Sequence, residues 1–501
     1  MRLRISARKS DLARLQAYMV GEALMKAHPH LKIEYKFKES LGDKNLTEPL
    51  WKIPEKGVFT EDFYAELIKE ETDLVVHSWK DLPTESKSNT QIVATLPRAD
   101  QRDLLLVKKS HLAGIRERKD LQVFSSSPRR EYNLTGFLKT HLPLNLESVQ
   151  FKSVRGNIPT RIRKLLESSD TDGLIVAKAA LDRLLTAERE EFNEVRDLLK
   201  TYLKDLTWVI LPLGINPNAA AQGALAVEIA SHRYELKSLL SVINDESTFI
   251  SAQKERDVLS SFGGGCHQKI GVAVLQRPYG EITLLRGLTD QGQVLNQRRL
   301  KKSQSAPQFN AEELWVADCS SQRQVLPWKG LPEGTEALFV ARTEAWPAGL
   351  DFSGYVWAAG LKTWQNLAQK GIWVHGCAES LGEKEFPGLD ILADQELRWV
   401  KLTHAEGFEN PQSAYPVIAT YQLHQDVSSV SADKKAFFWS SGSQFLATVK
   451  AHPEIAKLFH ACGPGNTFEV IRAYMEKENM YDPARLQIFL DQDDWRQQCT
   501  R

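Results

Sequence analysis

The chain has 501 residues, 42% of them hydrophobic and 26% charged, with 64 basic and 64 acidic side chains. That is the composition of a soluble globular protein of roughly three or four domains, and a formal net charge of zero removes any global case for nucleic acid or an anionic membrane as partner. No apolar run is long enough to span a bilayer. Met1-Arg2-Leu3-Arg4 runs straight into a strand-like segment without a signal-peptide core, and five cysteines, an odd number without metal-ligand spacing, point to reduced thiols in the cytoplasm and away from a zinc site.

Residues 3–7 read as a strand and Arg8-Lys9-Ser10 as a turn. Leu12, Leu15, Met19, Ala23 and Leu24 then fall at helical spacing, with Ser10-Asp11 able to cap the helix. Strand, polar turn and helix start together make a natural anion site, because amides point outward and the dipole favours negative charge. Arg8 adds a bidentate donor for a carboxylate or phosphate, although a surface-exposed arginine fits the same residues. Residues 31–37 give a second strand; Gly42 to Gly57 is polar and irregular, with Lys52 and Lys56 near its end, and Val58-Phe59 leads into a helix from Glu61 to Glu70.

The stretch from Asp73 to Thr84 begins as a short β-branched apolar run and then changes abruptly. Ser78, Lys80 and Asp81 arrive together, and Pro83 keeps Leu82 out of helical geometry. A rigid strand thus delivers a hydroxyl, an ammonium and a carboxylate onto a constrained loop, at the strand end where α/β sheets bind ligands. Taken alone, the stretch fits an ordinary strand exit with a solvated Lys-Asp pair equally well.

Residues 91–96 and 103–107 read as further strands, so strands and helices alternate as in an α/β layer. Ser125-Ser126-Ser127-Pro128-Arg129-Arg130 stands between the strand Leu121 to Phe124 and the helical Glu131 to Lys139. Ser153-Val154-Arg155-Gly156-Asn157-Ile158-Pro159-Thr160-Arg161 repeats the arrangement, and a fourth strand, Gly173 to Val176, leads through Lys178 to Arg183. Repetition at Arg8, Arg129, Arg130, Arg155, Arg161 and Arg183 suggests one pocket lined by guanidinium groups for a ligand with several carboxylates; a dispersed set of surface charges is the competing view. Residues 209–213 form a strand, Asn216 to Ala221 a loop, and Gln222 to Val227 a strand again; 232–242 and 246–260 are helical. Ser261-Phe262-Gly263-Gly264-Gly265-Cys266 follows, in which three glycines leave room beside a thiol, or simply make a tight turn before the strand 270–275. With 282–288, that strand closes a smaller α+β unit ending near Lys302.

Ala7-Arg8-Lys9-Ser10, Lys56-Gly57-Val58-Phe59-Thr60, His77-Ser78-Trp79-Lys80-Asp81-Leu82-Pro83, Ser126-Ser127-Pro128-Arg129-Arg130, Arg155 to Arg161 and Gly263-Gly264-Gly265-Cys266, in this order, resemble hydroxymethylbilane synthase (porphobilinogen deaminase) over residues 3 to about 300. The resemblance implies an α/β fold: two doubly wound lobes of the type II periplasmic-binding-protein kind around a cleft, then a small α+β third domain. It implies a dipyrromethane cofactor on Cys266 and the stepwise joining of four porphobilinogen molecules with loss of ammonia. It assigns catalysis to Asp81, cofactor contacts to Arg8, Ser10, Ser78, Lys80, Ser126, Ser127, Arg129, Arg130, Arg155 and Gly156, and substrate contacts to Lys52, Lys56, Phe59, Arg161, Arg183 and Gln222. No metal, nucleic acid or membrane is implied, and a cytoplasmic monomer is expected. The implied domains are 1–98 with 222–242, 99–221, and 243–302. The sequence departs from the family in Pro128, where leucine is usual, in Ala221 before Gln222-Gly223, and in Asp182, where a basic residue is frequent.

Residues 303–335, rich in Ser, Gln, Pro and Gly, read as a linker to an appended α/β region, 336–501. There, strand-to-helix turns at Val356 to Thr363, Ala436 to Ser443 and Ala461 to Thr467 distantly resemble uroporphyrinogen-III synthase. The first lobe lacks that family's Ser-containing turn, and Gly463 to Thr467 carries an extra residue. The resemblance implies carboxylate contacts at Ser440, Ser441, Ser443 and Thr467, and at Thr363 and Arg342. A generic α/β appendage fits the same turns, since Ser and Gly cap helices everywhere.

Overall fold

The computed structural model describes residues 1–39, 61–85, 87–264, 268–302, 304–316, 321–385, 387–405, 413–425 and 429–501. The chain divides into two compact units: unit 1 is Met1–Thr140, Leu144–Gln276 and Thr283–Gln297, and unit 2 is His141–Pro143, Arg277–Ile282 and Arg298–Arg501.

Among the described residues, the two lobes of unit 1 are built on β1 (Arg2–Arg8), β2 (Lys32–Lys38), β3 (Leu74–Ser78), β4 (Thr90–Ala94), β5 (Asp103–Lys108), β6 (Asp120–Phe124), β7 (Ser148–Lys152), β8 (Gly173–Ala177), β9 (Leu206–Ile210) and β10 (Leu225–Ala230). They form two sheets, in orders β2-β1-β3-β10-β4 and β7-β6-β8-β5-β9. In the first sheet β1, β2 and β3 run parallel and β10 runs against both neighbours. In the second, β6, β7 and β8 are parallel and β5 is reversed. Each lobe therefore takes one reversed strand from a chain that has just crossed over: β5 on the way out and β10 on the way back. This is the doubly wound, two-lobed architecture of type II periplasmic binding proteins.

The central strands are apolar on both faces because helices cover both. Leu104, Leu105, Leu106 and Val107 of β5 are fully buried. Leu3, Ile5, Leu74, Val76, Val227 and Ile229 form the first lobe's core with Ala17, Val20 and Leu24 from the helix Asp11–Ala27. After β10 comes the helix Glu246–Ser260, capped by the Asp245 carboxylate, which accepts from the Thr248 amide at 2.8 Å. A three-stranded sheet follows, β11 (Gly271–Arg277), β12 (Gly280–Leu288) and β13 (Val294–Lys301).

Unit 2 holds two more sheets. One is β14 (Leu314–Val316), β21 (Ala436–Trp439), β22 (Phe459–Cys462) and β23 (Leu486–Ile488), paired in parallel. The other has the order β15 (Ser321–Val325), β20 (Val417–Gln425), β19 (Trp399–His404), β16 (Ala337–Val340), β17 (Tyr355–Ala358) and β18 (Gly376–Cys377). The stretch 303–335, expected as a linker, thus supplies a strand to each sheet. Three apolar residues, Leu314-Trp315-Val316, are enough, because Trp315 packs on Phe437 at 5.4 Å and on Trp439 at 5.2 Å. The chain starts in one sheet, builds the whole of the other, and returns.

Candidate active site

β3 ends at Ser78, and Trp79–Asp81 forms a single 3-10 turn from which Leu82 leaves in extended geometry, as Pro83 requires. The turn is anchored by Trp79, which is fully buried against Phe249 (5.2 Å between rings) and whose amide donates to the Ala224 carbonyl at 3.1 Å. The turn sends its two charges in different directions. Asp81 is exposed. Lys80 points inward, where Nζ donates to Gln222 Oε1 at 3.1 Å; burial pushes its pKa down against the opposing pull of the Asp81 carboxylate. Ser78 Oγ donates to Gln16 Oε1 at 3.1 Å.

From Gln222 the network passes into the second lobe. Gln222 Nε2 donates to Asp103 Oδ1 at 2.9 Å and to the Gln101 carbonyl at 2.8 Å. Asp103 opens β5 and is buried, and its carboxylate accepts from Arg129 Nη2 (2.8 Å), Arg130 Nη2 (2.7 Å), Arg130 Nε (3.0 Å) and Asn216 Nδ2 (2.8 Å). Burial alone would raise its pKa, but the Arg130 and Arg129 guanidiniums hold it far below the usual carboxylate range. Arg129 also donates to Asn216 Oδ1 (2.8 Å) and the Pro217 carbonyl (2.6 Å), and Arg130 to the Ile175 carbonyl (3.0 Å). These two arginines are thus fixed by the protein itself.

The helix bearing them begins at Pro128. Proline in the family's leucine position costs nothing there, since the first helical residue needs no amide donor and its φ is already helical. Ser127 Oγ accepts from the Arg130 amide at 3.5 Å, and Ser126 Oγ donates to the Val154 carbonyl at 2.8 Å, tying this turn to the next. In that next turn Gly156 has φ +119°, and a Cβ there would meet Thr160 Cγ2 at 2.8 Å. Asn157 caps the following helix, accepting from the Thr160 amide at 3.0 Å. Arg161 Nε donates to the Gly156 carbonyl at 2.7 Å, and burial brings its pKa down to about 10, with Arg130 adding and Asp81 opposing. Arg155 Nη2 is buried and without a hydrogen-bond partner among the described residues. Arg183 donates through Nη2 to the Gly223 carbonyl at 2.7 Å, leaves Nε buried and unpartnered among the described residues, and is lowered to about 10 by burial. Its neighbour Asp182 is not a loose charge: it accepts from Lys178 Nζ at 2.6 Å, and burial raises it to about 6. Ser10 stands at the N-cap of the first helix without spending its hydroxyl on a capping bond, and Arg8, at the end of β1, is half-buried. Lys52, Lys56, Phe59 and Cys266 lie outside the described residues.

Gln222 does not begin a strand, as expected, but stays in the crossing: Ala221 and Gly223 both have positive φ (62° and 87°), and β10 starts only at Leu225. The two crossing segments lie side by side, the Ala99 amide donating to the Gly223 carbonyl at 3.2 Å. A Cβ on Gly223 would meet the Ala99 carbonyl at 2.5 Å, which explains the glycine. Glu255, fully buried, binds both segments: it accepts from Arg98 (2.8 and 2.7 Å), the Ala221 amide (2.8 Å) and Asn218 Nδ2 (3.1 Å), and also from the Val274 amide (2.8 Å) of β11. Sequence reasoning missed Asp103, Asn216 and Glu255. Asp103 did leave a signal, a lone carboxylate opening the apolar run Leu104 to Val107.

In unit 2 a cavity of about 560 Å³ is lined by the cations Arg277, Lys302, Lys384 and Arg472 and by the carboxylates Glu383, Glu385 and Glu469, among others, with Gly382 and Gly465 meeting backbone to backbone at its wall. None of Ser440, Ser441, Ser443, Thr467, Thr363 and Arg342 lines it. Ser441 is occupied as a cap, accepting from the Gln444 amide at 3.2 Å and lying 3.3 Å from Ser443 Oγ, and Ser440 donates to Gln444 Oε1 at 3.2 Å.

A family model described as "Porphobilinogen deaminase, dipyromethane cofactor binding domain" matches residues 3–238. Among curated relatives, a porphobilinogen deaminase of Syntrophomonas wolfei is 38% identical over 286 residues, spanning 57% of this chain and 84% of the relative. One of Caldicellulosiruptor saccharolyticus is 36% identical over 54% of this chain and 83% of its own length. One of Nostoc is 35% identical, covering 54% and 76%.

Proposed function

The chain belongs to the porphobilinogen deaminase family, the hydroxymethylbilane synthases, and from that premise we propose the division of labour among its residues. The observation that carries it is the convergence of one exposed carboxylate, Asp81, with an excess of inward-facing cations: Asp81 acts electrostatically on both Lys80 and Arg161, and Arg130 acts on the same two. Asp103 orients Arg129 and Arg130, and Lys80, Arg155, Arg161 and Arg183 add further capacity for ligand carboxylates. Arg155 Nη2 and Arg183 Nε, buried and unpartnered among the described residues, are the clearest signs of that capacity. Pyrroles carrying acetate and propionate arms fit such a site. When bound, the dipyrromethane supplies the pyrrole terminus to which porphobilinogen is joined.

Asp81 provides the acid–base function. Loss of ammonia from the aminomethyl group of porphobilinogen develops positive charge on that substrate; the Asp81 carboxylate stabilises it and handles the protons at the pyrrole nitrogen and leaving amine. Arg8, Ser10, Ser78, Lys80, Ser126, Ser127, Arg129, Arg130, Arg155 and Gly156 hold the cofactor; Lys52, Lys56, Phe59, Arg161, Arg183 and Gln222 receive substrate. Cys266 carries the cofactor, and the working unit is a cytoplasmic monomer. Intact mass of the purified protein and peptide mapping check this independently of activity. The expected result is a dipyrrole adduct on Cys266 alone among Cys266, Cys319, Cys377, Cys462 and Cys499; an adduct elsewhere, or none in active protein, overturns the assignment.

A second activity is proposed for unit 2, a uroporphyrinogen-III-synthase-like closure of the linear tetrapyrrole. Two observations favour it: the chain leaves one sheet, completes another and returns, and cations reach a cavity lined from both. Lys302, with the helix start at Asn466, replaces the serines expected from sequence as carboxylate contacts; Arg277 is paired with Glu385, and Lys384 and Arg472 with Glu469, so a ligand carboxylate would have to compete for those three. Full-length protein fed porphobilinogen, followed by oxidation and isomer separation, decides the matter: an asymmetric type III product supports closure here, and a wholly symmetric type I product rules it out.

A further inference from the structure

We propose that Arg256 is a positioning residue for the reaction: from the helix Glu246–Ser260 it holds the Trp79–Pro83 turn in the shape that presents Asp81. The inference rests on the reading of Asp81 as the acid, and Arg256 acts on that carboxylate only through the backbone beneath it. Arg256 Nη1 donates to the Trp79 carbonyl at 3.3 Å and to the Leu82 carbonyl at 3.1 Å, and Nη2 donates to the Pro83 carbonyl. Those three carbonyls flank Asp81 on both sides. The Trp79 carbonyl also accepts from the Leu82 amide at 3.2 Å, but a one-turn 3-10 segment followed by proline leaves the Leu82 and Pro83 carbonyls without a helical continuation to satisfy them, and buried carbonyls need donors. A planar guanidinium presents its donors in a fixed fork that meets carbonyls on two sides, whereas an ammonium has three donors but no such fork. Arg256 itself is buried.

The helix that carries it cannot drift. Glu255, the preceding residue, is locked to Arg98, Ala221 and Asn218 of the crossing segments. At its far end the helix runs into the glycine turn ahead of Cys266. There Gly264, with φ +63°, lies against Thr84, since a Cβ on it would fall 2.3 Å from Thr84 Oγ1. One helix therefore fixes the height of the Asp81 turn at one point and leads to the cofactor-bearing segment at another. A role confined to filling the core would not require the guanidinium to gather carbonyls from both sides of the acid.

The test is a double-substitution cycle in the dipyrromethane-bearing enzyme, with rates normalised by intact mass to the fraction of chains carrying the cofactor. Arg256→Lys is expected to lower kcat by about ten-fold while KM for porphobilinogen stays within about two-fold, with Arg256→Gln worse. In an Asp81→Glu background, where the carboxylate is already displaced, Arg256→Lys is expected to cost less than about two-fold, because the two changes damage the same thing. Hydrogen–deuterium exchange of the peptide covering residues 79–85 is expected to quicken in Arg256→Lys while peptides from β5 to β9 do not change. An unchanged kcat, or an effect that multiplies in full on Asp81→Glu, overturns the proposal. Turnover surviving in Asp81→Asn alone overturns instead the reading of Asp81, and the exchange experiment then still decides whether Arg256 holds the turn.

Discussion

In unit 1 the buried polar groups beside the site are ionised and paired across long sequence distances: Asp103 with Arg129 and Arg130, Glu255 with Arg98. In unit 2 the Lys401–Glu383 pair is buried too, but two of the buried polar groups set among the aromatics are neutral rings. His375 Nδ1 accepts from the Val356 amide at 3.1 Å, and His460 Nδ1 accepts from Trp439 Nε1 at 2.9 Å, while burial pushes the two rings down to about 3 and about 4. An imidazole that accepts at Nδ1 is held in one tautomer and resists a proton. The contrast shows what buried charge is for. Ion pairs are poor value as glue, because desolvation offsets their attraction. Among the described residues they recur in unit 1, where they fix the direction of the site's arginines, and none lies in the aromatic core around Trp315, Trp439 and Phe445, which packing holds.

The largest expected effect breaks the chemistry while sparing the network. Asp81→Asn should fold and still permit cofactor assembly, yet lose turnover by two or more orders of magnitude, about what a missing acid–base group costs; a steady-state rate near that of the unaltered chain would remove Asp81 from its role. Next, Asp103→Ala strips the partner from two buried guanidiniums and should destabilise unit 1 by about 3–5 kcal/mol in urea unfolding, with Asp103→Asn milder because it keeps acceptors. A loss under about 1 kcal/mol would mean that the charges are not held as the distances indicate.

The smallest effect concerns unit 2. Because both histidines titrate lower in the folded protein than in the unfolded chain, the unfolded chain takes up protons first as pH falls below about 6.5. Stability is therefore full above that pH and declines below it, by at most about 1.4 kcal/mol per pH unit for each ring, until the folded rings also protonate. Unit 2 should show this slope in unfolding followed between pH 7 and 5, and His375→Gln should remove its share. A flat profile would erase the contrast between the two interiors.

Much of unit 1 was legible because its signals are local. A β-branched run stopping at Ser78-Trp79-Lys80-Asp81 marks a strand end, and serine-rich turns before Arg129 and Arg161 mark helix starts. What holds those turns was not legible. Asp103 meets Arg129 and Gln222 from 26 and 119 residues away, and nothing in a helix reading of Glu246 to Ser260 tells Arg256 from a solvated arginine. Composition misled at Leu314-Trp315-Val316, where three residues made a strand through partners more than a hundred positions later. In the second half, serine turns pointed to carboxylate contacts, but helix capping had already engaged Ser441.

The reversed strand β10 has a consequence for how the protein is made. It lies between β3 and β4, so β4 has no neighbour in its sheet until residues near 225 have been synthesised. From Ala94 to Leu225 that delay is roughly seven to twenty-five seconds at ordinary translation speed. The second lobe, continuous from β5 to β9, can finish on the ribosome in that interval. The first lobe must wait with an open hydrogen-bonding edge on β3, the strand that leads to Asp81, and such an edge is a template on which another chain can pair.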